Sequence, residues 1–115
     1  MRHCLMLDLK DDPALIAQYE AHHRAVWPEV LRHLADSGVT SMEIYRLGTR
    51  LCMVMETDDA RFDAQRMARA QAEDPRLAAW ETLMWTFQAP TPWTPAGEKW
   101  VPGERIFDFK EGSAA

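Results

Sequence analysis

The stretch Val39-Thr40-Ser41-Met42-Glu43-Ile44-Tyr45-Arg46-Leu47-Gly48-Thr49-Arg50-Leu51-Cys52-Met53-Val54-Met55-Glu56-Thr57 decides the fold. Val39–Arg46 and Arg50–Thr57 are apolar-rich runs of strand length. Leu47-Gly48-Thr49 between them reads as a turn, so the two runs form a hairpin. Side chains alternate between the two faces of a strand, which sends Met42, Ile44 and Arg46 to one face and Glu43 and Tyr45 to the other. The methionines read as core filler. Glu56, closing an apolar strand, is either a rim carboxylate or a polar group of a site.

Upstream, His3–Leu9 reads as a first strand ended by the charged turn Lys10-Asp11-Asp12-Pro13. Asp12 before Pro13 also starts a helix, with an N-cap acid and proline at the first helical position. Residues 13–22 are helical, with Leu15, Ile16 and Tyr19 inward. Pro28 kinks this helix or opens a second, and Ser37-Gly38 ends the helical run that follows. Downstream, residues 58–71 are helical in composition, capped by Asp58 or Asp59. Asp74-Pro75 repeats the start signal, and Leu77, Trp80, Leu83, Met84 and Phe87 keep a helical period. Ala89–Gly97 holds three prolines and reads as an irregular loop. Arg105–Phe109 alternates as a last strand, and residues 111–115 form a frayed tail.

The order strand, helix, strand, strand, helix, strand is the split βαβ pattern of an α+β, ferredoxin-like fold, here one domain over residues 1–110. An antiparallel sheet with helices on one face leaves the other open. Two copies can bury those faces together as a dimeric α/β barrel, so a homodimer is expected. A chain of 115 residues gains from such pairing.

Hydrophobic residues make up 47% and charged residues 27%, the balance of a globular protein. The formal net charge is −5, with no basic block to displace phosphate counterions, which excludes a nucleic-acid partner. Cys4 and Cys52 lie in apolar strands without metal spacing and read as two buried thiols in a reducing compartment. The apolar N-terminus is too short for a signal peptide or a membrane span, so a cytoplasmic protein is expected. Pro95-Ala96-Gly97-Glu98-Lys99-Trp100 lacks phosphate-loop spacing, which leaves nucleotide binding unsupported.

Chemistry concentrates in Tyr19-Glu20-Ala21-His22-His23-Arg24-Ala25-Val26-Trp27-Pro28-Glu29. Tyr19 and His23 are one helical turn apart on one face, and Trp27 would follow if the helix persisted. Phenol, imidazole and indole in a row make a wall for a small polar ligand, and imidazole both gives and takes protons near neutral pH. Neighbouring His22 and His23 point in different directions, and His3 and His33 lack motif spacing, so no metal is expected. A second aromatic group, Trp80 to Trp85, offers stacking on the apolar face of a sugar. Five residues apart, these two cannot share a face closely, so one is freer to meet a ligand.

Tyr19-x-x-x-His23-x-x-x-Trp27-Pro28-Glu29, the hairpin with Ile44-Tyr45, and Trp80-x-x-x-Met84 together resemble the L-rhamnose mutarotase family. The resemblance runs from the first strand to about residue 88. It implies a dimeric α/β barrel whose members interconvert the α and β anomers of a 6-deoxy sugar without metal or cofactor. It places the proton-donating histidine at His23, and a substrate-binding tyrosine at Tyr19. Of an adjacent tryptophan pair lining the sugar site, only Trp80 has a counterpart, because Ala79 replaces the first. A sugar-contacting strand tyrosine is Met42 here. Met42-Glu-Ile-Tyr-Arg46 and Pro95–Trp100 look more like the branch associated with L-fucose.

The expected reaction is therefore sugar mutarotation, with His23 as principal acid/base. Tyr19, Trp80, Trp27, Trp85 and Glu56 are the candidate substrate-binding residues. Glu56, Glu29 and His22 are candidates for the partner base. The alternatives are a non-catalytic sugar- or metabolite-binding dimer and a cofactor-free monooxygenase of the same fold, the latter on fold analogy alone.

Overall fold

β1 (Arg2–Leu9), β2 (Val39–Leu47) and β3 (Arg50–Thr57) are the three long strands of the computed structural model, which describes residues 1–112. β3 lies between the other two and antiparallel to both, so the N-terminal strand extends the hairpin read from the sequence. The register pairs Leu7 with Leu51 and Leu5 with Met53. Leu47 pairs with Arg50 across the loop Gly48-Thr49, where Gly48 has φ +59°. Thr49 keeps a negative φ, the pattern of a type II′ turn, whose twist matches that of the strands.

The helices are α1 (Pro13–His23), α2 (Pro28–Asp36), α3 (Ala64–Glu73) and α4 (Pro75–Trp85). The Asp12 carboxylate accepts from the Ala14 N–H at 2.9 Å, and the Asp74 carboxylate accepts from the Arg76 N–H at 2.9 Å. Both Asp-Pro starts therefore work as read. Pro28 opens a second helix instead of kinking the first, so the chain turns between His23 and Pro28. Gly38 follows α2 with φ +90°. A Cβ there would lie 3.0 Å from Arg61 Cβ and from Phe62 N, so the close approach of the next turn also demands glycine.

The cap of α3 differs from expectation. Asp63, rather than Asp58 or Asp59, accepts from the Gln65 and Arg66 N–H groups. Asp58 is engaged in the preceding turn, where its N–H donates to the Gly38 carbonyl and its carboxylate accepts from the Ala60 N–H. An aspartate that closes a tight turn competes with the helix for the same backbone groups.

Strand alternation sorts the sheet into two faces. Leu7, Leu9, Leu51, Met53 and Met55 are buried on one face. Leu9 and Leu51 pack there with Tyr19, Val30, Trp80 and Phe87. The other face carries Cys4, Met6, Cys52 and Val54, and no helix among the described residues covers it. The two thiols are thus not buried as expected. Cys4 is exposed and Cys52 half-buried, with their Sγ atoms 3.5 Å apart. Both occupy the strand parity that points away from the helices.

The last strand also differs. Arg105–Phe109 forms no strand; the far edge of β1 is taken by two short pieces instead. β4 (Gln88–Ala89) pairs with Asp8–Leu9, and β5 (Val101–Pro102) pairs with Leu5–Met6. Residues 90–100 leave that edge and rejoin it. Once the Gly103 N–H has bonded the Cys4 carbonyl at 2.9 Å, Ile106, Phe107 and Phe109 stand exposed. Alternation marks a segment able to pair, but pairing needs a free edge, and that of β1 is occupied. The order β2-β3-β1-β4 with antiparallel neighbours is the expected ferredoxin-like arrangement. The expected frayed tail lies, from residue 113 on, outside the described residues. No helix among the described residues is long and apolar enough to cross a membrane.

Leu7 is fully buried at the centre of the sheet. Leu7→Ala is expected to lower unfolding free energy by about 2–5 kcal/mol in urea denaturation at fixed protein concentration. A loss below about 1 kcal/mol would contradict this place in the core.

Candidate active site

A cavity of about 940 Å³ opens between the helices and the inner face of the sheet. Its volume is within the range of about 300–1,000 Å³ usual for small-molecule sites. The last turn of α1 presents Tyr19 and His23 to it, with ring centroids 4.3 Å apart. α4 contributes Trp80, and β4 contributes Gln88. Met42, Ile44 and Met53 form an apolar floor, and the returning loop adds Lys99 and Trp100 at the rim.

The hydrogen bonds settle the state of His23. Its Nδ1 lies 2.9 Å from the Tyr19 carbonyl oxygen. A carbonyl only accepts, so Nδ1 carries the proton, and in the neutral ring Nε2 carries the lone pair. Nε2 has no protein hydrogen-bond partner among the described residues. Burial pushes the His23 pKa below its ordinary 6.5; the bond to the Tyr19 carbonyl opposes this, and nearby His22 adds to it. Desolvation outweighs the hydrogen bond, which keeps the ring neutral, a base ready to accept, at physiological pH.

Tyr19 is 3% exposed, and its phenol oxygen accepts from Gln88 Nε2 at 3.3 Å. Burial raises its pKa above 10.0, the Gln88 bond lowers it, and the Glu81 carboxylate raises it again. The phenol therefore keeps its proton at neutral pH. Glu81 lines the same cavity and pairs with Lys99 at 3.5 Å. The site thus holds an imidazole base, a protonated phenol and a buried amide within mostly apolar walls. That is equipment for moving protons on a small polar ligand whose carbon skeleton packs against indole.

The other candidates are arranged around this centre or away from it. Trp27 does not line the cavity. Its ring packs edge-on against Trp80 at 5.1 Å and lies under the Arg76 guanidinium at 4.0 Å, so it buttresses the wall. Glu29 pairs with the same Arg76 at 3.7 Å, away from the cavity lining. His22 packs on Phe87 at 5.5 Å, outside the lining. Trp85 lies beneath Lys99 at 4.9 Å, so of the two spaced tryptophans it is Trp80 that meets the cavity. Glu56 is on the opposite face of the sheet, bonded to Arg2, because its parity is that of Cys52 and Val54.

Gln88, Glu81, Lys99 and Trp100 were not singled out as site residues from the sequence. Glu81 lies one helical turn after Leu77 and could have been found from that period. Gln88 and Trp100 enter only through strand pairings at the β1 edge, which local patterns do not encode. No group of three or more His, Cys, Asp or Glu among the described residues could hold a metal ion. A second depression of about 560 Å³, where Arg50 stacks over Trp93, has neither imidazole nor phenol in its lining.

Comparison with known proteins follows the same lines. Among solved structures, an L-rhamnose mutarotase from Formosa agariphila superposes with TM-score 0.68 at 18% identity, over 96% of this chain and 99% of that one. A tetracenomycin F2 cyclase from Streptomyces glaucescens superposes with TM-score 0.59, also at 18% identity, over 96% and 97%. At such identity these likenesses show the fold alone. A Dictyostelium discoideum protein of the UPF0734 group is 34% identical over 90% of this chain and 85% of its own. The L-fucose mutarotase of Xanthomonas campestris pv. campestris is 48% identical over 99% of this chain and 97% of its own. The family model described as L-rhamnose mutarotase matches residues 2–109, and with that match and the 48% relative, the chain belongs to the L-rhamnose mutarotase family.

Proposed function

We propose that this chain is a sugar mutarotase that interconverts the α and β anomers of a 6-deoxyhexose, L-fucose in preference to L-rhamnose. It works as a cytoplasmic homodimer whose functional unit is residues 1–110. The observation that carries the reading is the unpartnered Nε2 of a half-buried, neutral His23 beside Tyr19 in an indole-walled cavity.

Mutarotation opens the hemiacetal, turns the C1–C2 bond and closes the ring on the other face. His23 Nε2 takes the proton of the anomeric hydroxyl as the C1–O5 bond breaks and a second group protonates O5; on closure O5 gives up that proton and His23 returns its own to O1. Trp80, 7% exposed and held by Trp27, gives the ring or its methyl a flat apolar surface. Tyr19 orients the sugar. The preference for L-fucose is supported by the name of the 48% relative, and by Ala79 and Met42 at positions where the resemblance to rhamnose enzymes implies aromatic sugar contacts. The dimer is supported by apolar surface left uncovered on one chain, with Tyr45 and Leu47 at one edge of the sheet and Phe107 and Phe109 beyond the other.

His23→Ala is expected to slow anomer exchange by about 10²–10⁴-fold, measured by saturation-transfer NMR with the fold checked by circular dichroism. Wild-type rates in a folded variant would remove His23 from the chemistry. The acid limb of kcat/KM should lie below pH 6.5, because a base with a lowered pKa is lost only as pH falls through that lowered value. A limb above 6.5 would contradict the protonation state assigned here. In an exchange panel, L-fucose is expected to be turned over faster than L-rhamnose or D-galactose; a preference for L-rhamnose would reverse the substrate assignment.

A further inference from the structure

Resting on the mutarotase reading above, we propose that Gln88 is a positioning residue. Its amide N–H holds the Tyr19 phenol oxygen, so that the phenol's own proton is free to pass to the sugar ring oxygen while His23 takes the anomeric proton. Tyr19 is then the second proton-transfer group of the reaction.

The geometry argues this directly. Gln88 is 4% exposed, and its only hydrogen bond through the side chain among the described residues goes to the Tyr19 oxygen. In that bond the amide donates and the phenol accepts. The phenol proton is left without an acceptor among the described residues, on a side chain that lines the cavity. β4 pairing with β1, Leu9 opposite Gln88, anchors the amide from behind.

The proton count closes. On opening, the O1 proton goes to His23 Nε2, C1=O1 forms, C1–O5 breaks and O5 takes the Tyr19 proton. The open aldehyde lies beside an imidazolium and a phenolate. After rotation about C1–C2, Tyr19 takes back the O5 proton, O5 attacks the other face of C1, and His23 returns its proton to O1. An N–H bond to the phenol oxygen strengthens as that oxygen becomes anionic. It therefore stabilises the transition state more than the ground state and acts on kcat.

The groups facing Tyr19 are few. His23 on the same helix takes a positive charge as Tyr19 takes a negative one. Glu81 of α4 opposes the phenolate but is paired with Lys99 of the loop, which also brings Glu98. α2 contributes His33, and the strands contribute no charged side chain to this cavity.

The test is saturation-transfer NMR across pH, with spontaneous exchange subtracted. Gln88→Met is expected to lower kcat about 10- to 100-fold with little change in KM. Tyr19→Phe should lose at least as much, and adding Gln88→Met to it should cost nothing more. The chain has only two tyrosines, and Tyr45 is exposed on the opposite sheet face, so uniform fluorotyrosine labelling reports on Tyr19. Labelling should move the basic limb of kcat/KM to lower pH, and Gln88→Met should move it to higher pH. Additive losses in the double variant, or a basic limb indifferent to fluorotyrosine, would overturn the proposal while leaving wild-type mutarotation standing. Failure of the wild type to accelerate exchange of any sugar would overturn the mutarotase reading and this inference with it.

Discussion

The pairing of β1 with β3 is the constraint on which the rest depends. With Leu7 opposite Leu51, every second side chain of both strands is committed to the helices and every other one to the far face. The helices then have one place to bury their apolar stripes. The cavity is what remains between them and the sheet, and its floor is the same methionine set that the alternation delivers inward. A one-residue slip would exchange Met53 and Met55 for Val54 and Glu56, putting a carboxylate in the floor and an apolar row outside.

Two interruptions turn this frame into a site. Pro28 stops α1 from running on, so the helix ends with Tyr19 and His23 on its last turn, and Trp27 is turned aside to support Trp80. The fourth strand is likewise broken. Gln88 is held at one end of the β1 edge, and the chain returns through Lys99 and Trp100 at the other. Burial does the electrostatic work. It lowers the pKa of His23 and raises that of Tyr19, so one is kept as an acceptor and the other as a donor at the same pH. Family membership stands beside a cavity that brings an imidazole, a phenol and an indole together.

What could be read from the sequence is what local geometry encodes. Tyr19 and His23 were legible because four residues make one helical turn, and Trp80 because Leu77, Trp80 and Met84 keep the helical period. The hairpin was legible from Gly48 between alternating runs. Glu56 shares the parity of Cys52 and Val54 in the same stretch, which puts it on the sheet face away from the cavity. The thiols were misjudged because an apolar strand has two faces, and only one is covered by helices here. Gln88 and Trp100 were not legible as site residues, since edge pairings with β1 bring them in from distant sequence. Arg105–Phe109 has strand alternation, but the β1 edge it would join is taken by β4 and β5, and Asp58 has a cap's chemistry spent on a turn.

The most direct measurement is of the His23 ring itself, by ¹H–¹⁵N correlation of the imidazole nitrogens near neutral pH, without and with sugar. The account predicts a neutral ring with its proton on Nδ1, and an Nε2 resonance that shifts when L-fucose is added. A ring protonated on Nε2, or one that does not respond to sugar, would contradict it.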